Sequence, residues 1–236
     1  MKQLFIFGAA LFLCACSDNS EIIPSGKLVK QNRPVSSFSV INVSNGIHLT
    51  LSQEDKDVAV NVEADDNIIQ YIETFTENHI LYLRLKDGIN IREGRTINMS
   101  VSVASLDSLF SSGGSQISFS TPFESDRLFI QASGGPEISG VVHIDDFVCN
   151  VSGGGKISFS GISDQFELQT SGGSESKLYD LEIRVAQIEV SGGSLVELNV
   201  QDTLSVHATG GSKIYYQGDA LVMDPYLDGG STITKR

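Results

Sequence analysis

The chain has 236 residues, enough for one large domain or two small ones with a substantial core. Hydrophobic residues make up 40% of it, and 29 acidic against 16 basic residues give a net charge of −13. That balance excludes a nucleic-acid partner, because nothing would neutralise the phosphate backbone, and it fits a solvated acidic surface.

The first residues, MKQLFIFGAALFLCAC, set one lysine ahead of an apolar run of about a dozen residues. The run is too short for a comfortable membrane span, so residues 1–15 read as a signal peptide. Leu13-Cys14-Ala15-Cys16 resembles the lipobox of bacterial lipoproteins, with leucine three places before the cysteine and alanine just before it. Cys16 is the better acceptor, because Cys14 would place bulky Leu13 at the cleavage site. The resemblance implies cleavage before Cys16, acylation of its sulfur, and the outer membrane of a Gram-negative cell as a partner, since several acyl chains suffice for stable anchoring. An ordinary signal peptide is the alternative. Ser17 to Glu21 resembles the acidic tag that sends some lipoproteins to the cell surface, so the protein faces either the periplasm or the outside. With Cys14 removed and Cys16 acylated, Cys149 is the one free thiol left and no intramolecular disulfide can form. Residues 16–34 are polar and pattern-free and read as a flexible tether.

Residues 35–105 form a less regular β region. Ile47 to Leu51, Val58 to Val62, Ile80 to Leu85 and Ile97 to Val103 alternate apolar with polar and read as strands, with a helical turn over Asp65 to Tyr71. Val43-Ser44-Asn45-Gly46-Ile47 resembles a degenerate copy of a motif that dominates the rest of the chain. This region is therefore either a set of longer, irregular coils of one solenoid or a separate β layer.

Over residues 106–236 glycine pairs return at Gly113-Gly114, Gly134-Gly135, Gly153-Gly154, Gly172-Gly173, Gly192-Gly193, Gly210-Gly211 and Gly229-Gly230, spaced by 21, 19, 19, 20, 18 and 19 residues. A Ser or Thr precedes each pair except the last, where Asp228 stands. Three residues after each pair lie Ile117, Ile138, Ile157, Ser176, Val196, Ile214 and Ile233. Alternation on both sides of each pair is that of a strand with one wet face. Strands this short bury their apolar face only by stacking repeat on repeat, which makes a β-solenoid with coils of about nineteen residues. Glycine supplies positive φ at the recurrent corner, a side chain there would meet its copy in the next coil, and the preceding Ser/Thr hydroxyl caps the turn. Lys235 and Arg236 suit a terminal coil that needs a polar cap.

Phe38-Ser-Val-Ile-Asn-Val-Ser-Asn-Gly-Ile-His-Leu-Thr-Leu51, then Val60-Asn-Val-Glu-Ala-Asp-Asp-Asn67, then the returning S-G-G-S resemble the family described as the putative auto-transporter adhesin, head GIN domain, a domain of unknown function in bacterial lipoproteins. The resemblance covers about residues 35 to 236 and implies a right-handed parallel β-helix and an adhesin role. Pro136, Ser176 and Asp228 depart from the repeat and weaken single rungs.

β-Helices include polysaccharide lyases and hydrolases, so a carbohydrate-active enzyme is the alternative function. It needs paired carboxylates or a calcium site across a cleft. Asp145-Asp146 and Asp65-Asp66 read as solvated turns, and outward Glu167 and Glu189 occupy different columns. His48, His79, His143 and His207 have no metal spacing and read as surface histidines, Cys149 reads as a buried inert thiol, and no phosphate loop or calcium nonapeptide is present. The sequence calls for no cofactor, no metal and no catalytic residue. What remains is a surface. One outward column carries Gln131, Asn150, Gln169, Glu189, His207 and Tyr226, and another Ser118, Ser139, Ser158, Lys177, Glu197 and Tyr215. Regularly spaced amides on the first are the candidate face for a glycan or protein ligand.

Overall fold

The computed structural model describes residues 21–54, 59–92 and 94–236; Cys16 and residues 1–15, expected from the sequence to be a signal peptide, lie outside them. Nine strands precede the regular coils: β1 (Leu28–Arg33), β2 (Val40–Val43), β3 (His48–Gln53), β4 (Ala59–Asp65), β5 (Ile72–Glu77), β6 (Ile80–Leu85), β7 (Ile97–Val103), β8 (Ser108–Ser112) and β9 (Gln116–Phe119). Eight follow: β10 (Phe123–Ser133), β11 (Glu137–Val151), β12 (Lys156–Thr170), β13 (Glu175–Val190), β14 (Leu195–Ala208), β15 (Lys213–Gln217), β16 (Leu221–Leu227) and β17 (Thr232–Lys235). They pair into one 17-stranded, mostly parallel ladder wound as a β-solenoid.

Equivalent residues stack on one another. Leu49, Ile117, Ile138, Ile157, Ser176, Val196, Ile214 and Ile233 are successive partners in a single interior file. Cys149 lies in a second file between Ile130 and Leu168, fully buried, and burial pushes its thiol pKa up. Ser176 interrupts its file with a buried hydroxyl that has no partner. Gly140 serves the core differently. A Cβ there would come within 2.5 Å of the Phe119 Cβ, and the space it leaves lets the rings of Phe119 and Phe159 meet at 6.1 Å across the intervening coil.

The two glycines of each pair have different jobs. Gly172 and Gly173 both have positive φ, at 72° and 76°. A Cβ on Gly172 would sit 3.0 Å from the Gly153 backbone nitrogen, whereas one on Gly173 would meet nothing within 4 Å. Crowding between turns therefore falls on the first glycine alone, and the second is held by its dihedral. Asn45-Gly46 occupies the same place one coil earlier, with φ of 65° and 70°. The coil beneath, β6-β7, has no glycine pair. Asn45 Oδ1 accepts the Leu85 amide at 3.2 Å, and Arg95 donates to the Asn45 carbonyl oxygen at 2.8 Å.

Turn closure differs from the sequence expectation. In four of the seven turns the closing hydroxyl belongs to the residue after the pair, not to the one before; Pro136 and Gly155 follow two other pairs, and at the last pair Asp228 Oδ1 accepts the Gly229 amide at 2.7 Å. Ser115, Ser174, Ser194 and Ser212 are buried and donate to the carbonyls of Ser112, Ser171, Ser191 and Thr209 at 2.7–3.0 Å. The Ser194 hydroxyl also accepts the Ser174 amide at 3.2 Å, tying one coil to the next. In these four turns the residue following the pair faces inward, where a hydroxyl must find partners; the residue preceding it is half-exposed.

Stacking order and chain order part company near the N-terminus. β2 and β3 form a coil lying between β8-β9 on one side and β6-β7 on the other. Leu49 thus stacks on Ile117, 68 residues later. Beyond β6-β7 the ladder turns antiparallel: β4 pairs with β7, β5 with β6, and β1 with β4. Region 35–105 therefore holds both coils of the solenoid and an antiparallel cap at its end. The tether reading fails over its last part, because Leu28–Arg33 forms β1. That strand is held by backbone pairing to β4 and by Asp65, which accepts the Gly26 amide. Its mostly exposed side chains leave no hydrophobic period to read.

Four substitutions test this account. Gly173→Ala is expected to lower unfolding free energy by about 1–2 kcal/mol through its dihedral, and Gly172→Ala by more, since the Gly153 backbone must also move. Ser194→Ala is expected to cost about 1–3 kcal/mol, stranding the Ser174 amide and Ser191 carbonyl, while Ser191→Ala stays near neutral; urea unfolding measures all four.

Candidate functional site

The second residue before each Ser-Gly-Gly lies between two inward files, so its side chain points out. Gln131, Asn150, Gln169, Glu189, His207 and Tyr226 are successive ladder partners, one per coil. The first five line an open groove of about 530 Å³. Its other wall is the half-exposed hydroxyl row Ser152, Ser171, Ser191 and Thr209, and its floor is the strand between, at Ala132, Val151, Thr170 and Val190. No lysine or arginine lines it.

On the groove wall Asn150 Oδ1 is buried without a hydrogen-bond partner, while the Thr170 side chain below turns inward. Gln169 Nε2 donates to Glu167 Oε1 at 3.2 Å, which fixes the amide with its oxygen free. Tyr226 lies past the groove's end and stacks on His207, ring centroids 4.5 Å apart, with 53% of its surface exposed. Sequence reasoning stopped at Gln131, but the column runs further: Phe110 partners Gln131, Asn42 partners Phe110, and Tyr82 partners Asn42. Phe110 and Asn42 stand two residues before Ser112 and Ser44, the same offset as Gln131 before Ser133, so that signal was present. Tyr82 had none, because its coil lacks a glycine pair.

The second column is continuous as well, from Ser118 through Ser139, Ser158, Lys177 and Glu197 to Tyr215. Opposite charges alternate beside it, with Lys156–Glu137 at 3.4 Å and Lys177–Glu175 at 2.9 Å. The Glu175 hydrogen bond and charge hold the Lys177 pKa above its ordinary value. This face satisfies itself and offers fewer free polar groups than the amide groove.

The remaining candidates do not assemble into chemistry. Asp65 is buried, binding the loop at Ser25 and Gly26, and Asp66 pairs with Lys27 at 3.2 Å, its pKa lowered first by the Ser25 hydroxyl and then by Lys27. Asp145 and Asp146 mark a second corner of the coil, where two outward residues in succession reset the alternation; Asp146 pairs with Arg127 at 3.4 Å. Glu124, Asp126, His143 and Asp145 border a shallow open hollow. His48, His79, His143 and His207 are all exposed. Among the described residues no group of three or more His, Cys, Asp or Glu is placed to hold a metal.

The sequence matches the family model described as "Putative auto-transporter adhesin, head GIN domain" over residues 37–220. The chain belongs to this family. Its fold is also that of several solved structures. A putative adhesin from Bacteroides fragilis has a TM-score of 0.85 at 17% identity, over 91% of this chain and 100% of that one. A putative lipid binding protein from Parabacteroides distasonis reaches 0.74 at 19% identity, over 92% and 99%. A putative adhesin from Parabacteroides merdae reaches 0.72 at 17% identity, over 92% and 99%. At these identities the likeness is one of fold. No curated protein matches the sequence.

Proposed function

We propose that this GIN-domain protein is a non-enzymatic binding module of the cell envelope, tethered to the outer membrane through lipidated Cys16, whose adhesin-like contact face is the groove lined by Gln131, Asn150, Gln169, Glu189 and His207. One observation carries the reading: in-register stacking turns a single outward position into a continuous polar ladder with unsatisfied hydrogen-bonding groups. Buried polar groups are normally paired, so those left free in a groove are suited to a partner's donors. The family description and the adhesin neighbours support a binding role; the apolar leader ending in Leu13-Cys14-Ala15-Cys16 supports the anchor. Of the acidic residues that a β-helix hydrolase or lyase would draw on, Asp65, Asp66 and Asp146 are engaged in loop closure and ion pairs, which favours binding over cleavage.

Expression in a Gram-negative host gives two readouts. Cys16→Ala is expected to move the protein from the membrane to the soluble fraction. Polysaccharides incubated with the full chain are expected to be retained with no new reducing or unsaturated ends, whereas chain cleavage would replace the binding module with the enzyme.

A further inference from the structure

We infer that the groove takes a linear, uncharged glycan laid along the solenoid axis, one sugar ring to each coil; this rests on the reading of the groove as the contact face. The spacing argues for it. Polar groups recur once per rung at about 4.8 Å, so the five rungs from Gln131 to His207 span roughly 19 Å. A pyranose in an extended chain is close to one rung long and presents its hydroxyls in step with the ladder. An extended peptide presents same-face side chains every 6.6–6.8 Å or so and drifts out of step. Nor can a peptide add as a strand, because the floor at Val151, Thr170 and Val190 is paired on both sides within the parallel ladder and offers no free edge.

The chemistry agrees. Gln131, Asn150 and Gln169 each carry a donor and an acceptor, as each sugar hydroxyl does. Asn150 Oδ1 has no partner and the Gln169 amide oxygen is free, so the groove wall holds acceptors that a sugar O–H satisfies. Uronates, sulfates and phosphates find no cation there and meet exposed Glu189 instead. At the two ends of the amide run stand rings, Phe110 one rung before Gln131 and the His207–Tyr226 stack, on which the apolar C–H face of a pyranose can pack.

The full-length protein is tested on an array of linear neutral and anionic glycans, and the retained chain is then titrated calorimetrically as a length series. Retention is expected on neutral chains only. Affinity is expected to rise about tenfold or more from trimer to pentamer and to level off beyond six units. Gln169→Leu and Tyr226→Ala are each expected to weaken the hexamer by about fivefold or more with an unchanged melting temperature. Preferred retention of anionic chains, affinity that ignores length, or an empty array overturns the glycan assignment. A peptide library then separates the two readings: capture that Gln169→Leu weakens preserves the groove as a contact face, and capture indifferent to it removes the groove as well.

Discussion

The molecule depends on the close approach of one turn backbone to the next. A coil can sit directly on its predecessor only if the corner residue carries nothing on the side facing that predecessor, and at Gly172, Gly192 and Gly210 a Cβ would lie 2.8–3.0 Å from the backbone nitrogen below. Once the corners nest, the strands on either side fall into register without further instruction. The interior files, the serine hydroxyls that link Ser174 to Ser194 and Ser212 to Ser231, and the outward columns all follow. Asn45 supports the same rule from the other direction, since it stands in the first glycine's place in the one coil whose predecessor, β6-β7, has no glycine pair.

The same constraint makes the surface. In a solenoid an outward position is copied at every rung, so whatever chemistry the repeat places there becomes a stripe. Where the copies are charged, neighbours compensate: Glu137 meets Lys156 and Asp164 meets Arg184, in exposed pairs worth little individually but avoiding like-charge stacking. Where the copies are amides, the stripe keeps free hydrogen-bonding groups beside a row of hydroxyls. That contrast, more than any single residue, separates the amide groove from the serine face on the other side of the glycine turns.

Much of this could be read from the residues. The glycine spacing carried the coil length, the alternation of Phe166, Leu168 and Thr170 with Glu167 and Gln169 carried which side faces in, and together they placed Gln131 to Tyr226 in one column. The sequence does not record which rung lies on which when chain order and stacking order differ. Nothing local to Leu49 points to Ile117, because the periodicity of a strand describes its faces and not its neighbours. β1 was illegible for a related reason: Leu28–Arg33 is fixed by backbone pairing at an edge, where side chains stay wet. β5, at Ile72–Glu77, hides because its residues are almost all half-buried, which blurs the alternation. The capping serines were assigned to the wrong side of the turn because a hydroxyl residue stands on both sides of the pair at Ser112/Ser115, Ser171/Ser174, Ser191/Ser194 and Thr209/Ser212, and only burial distinguishes them.

The stacking itself is most directly tested by disulfide trapping on the outward serine column. Ser139 and Ser158 are ladder partners on adjacent rungs, so the Ser139→Cys/Ser158→Cys protein is expected to cross-link intramolecularly under mild oxidation, the rung spacing of about 4.8 Å lying within disulfide reach. Ser139→Cys/Lys177→Cys, two rungs apart, is expected to stay reduced, because about 9.6 Å exceeds that reach. Equal cross-linking in both proteins, or in the second alone, would contradict the in-register stack.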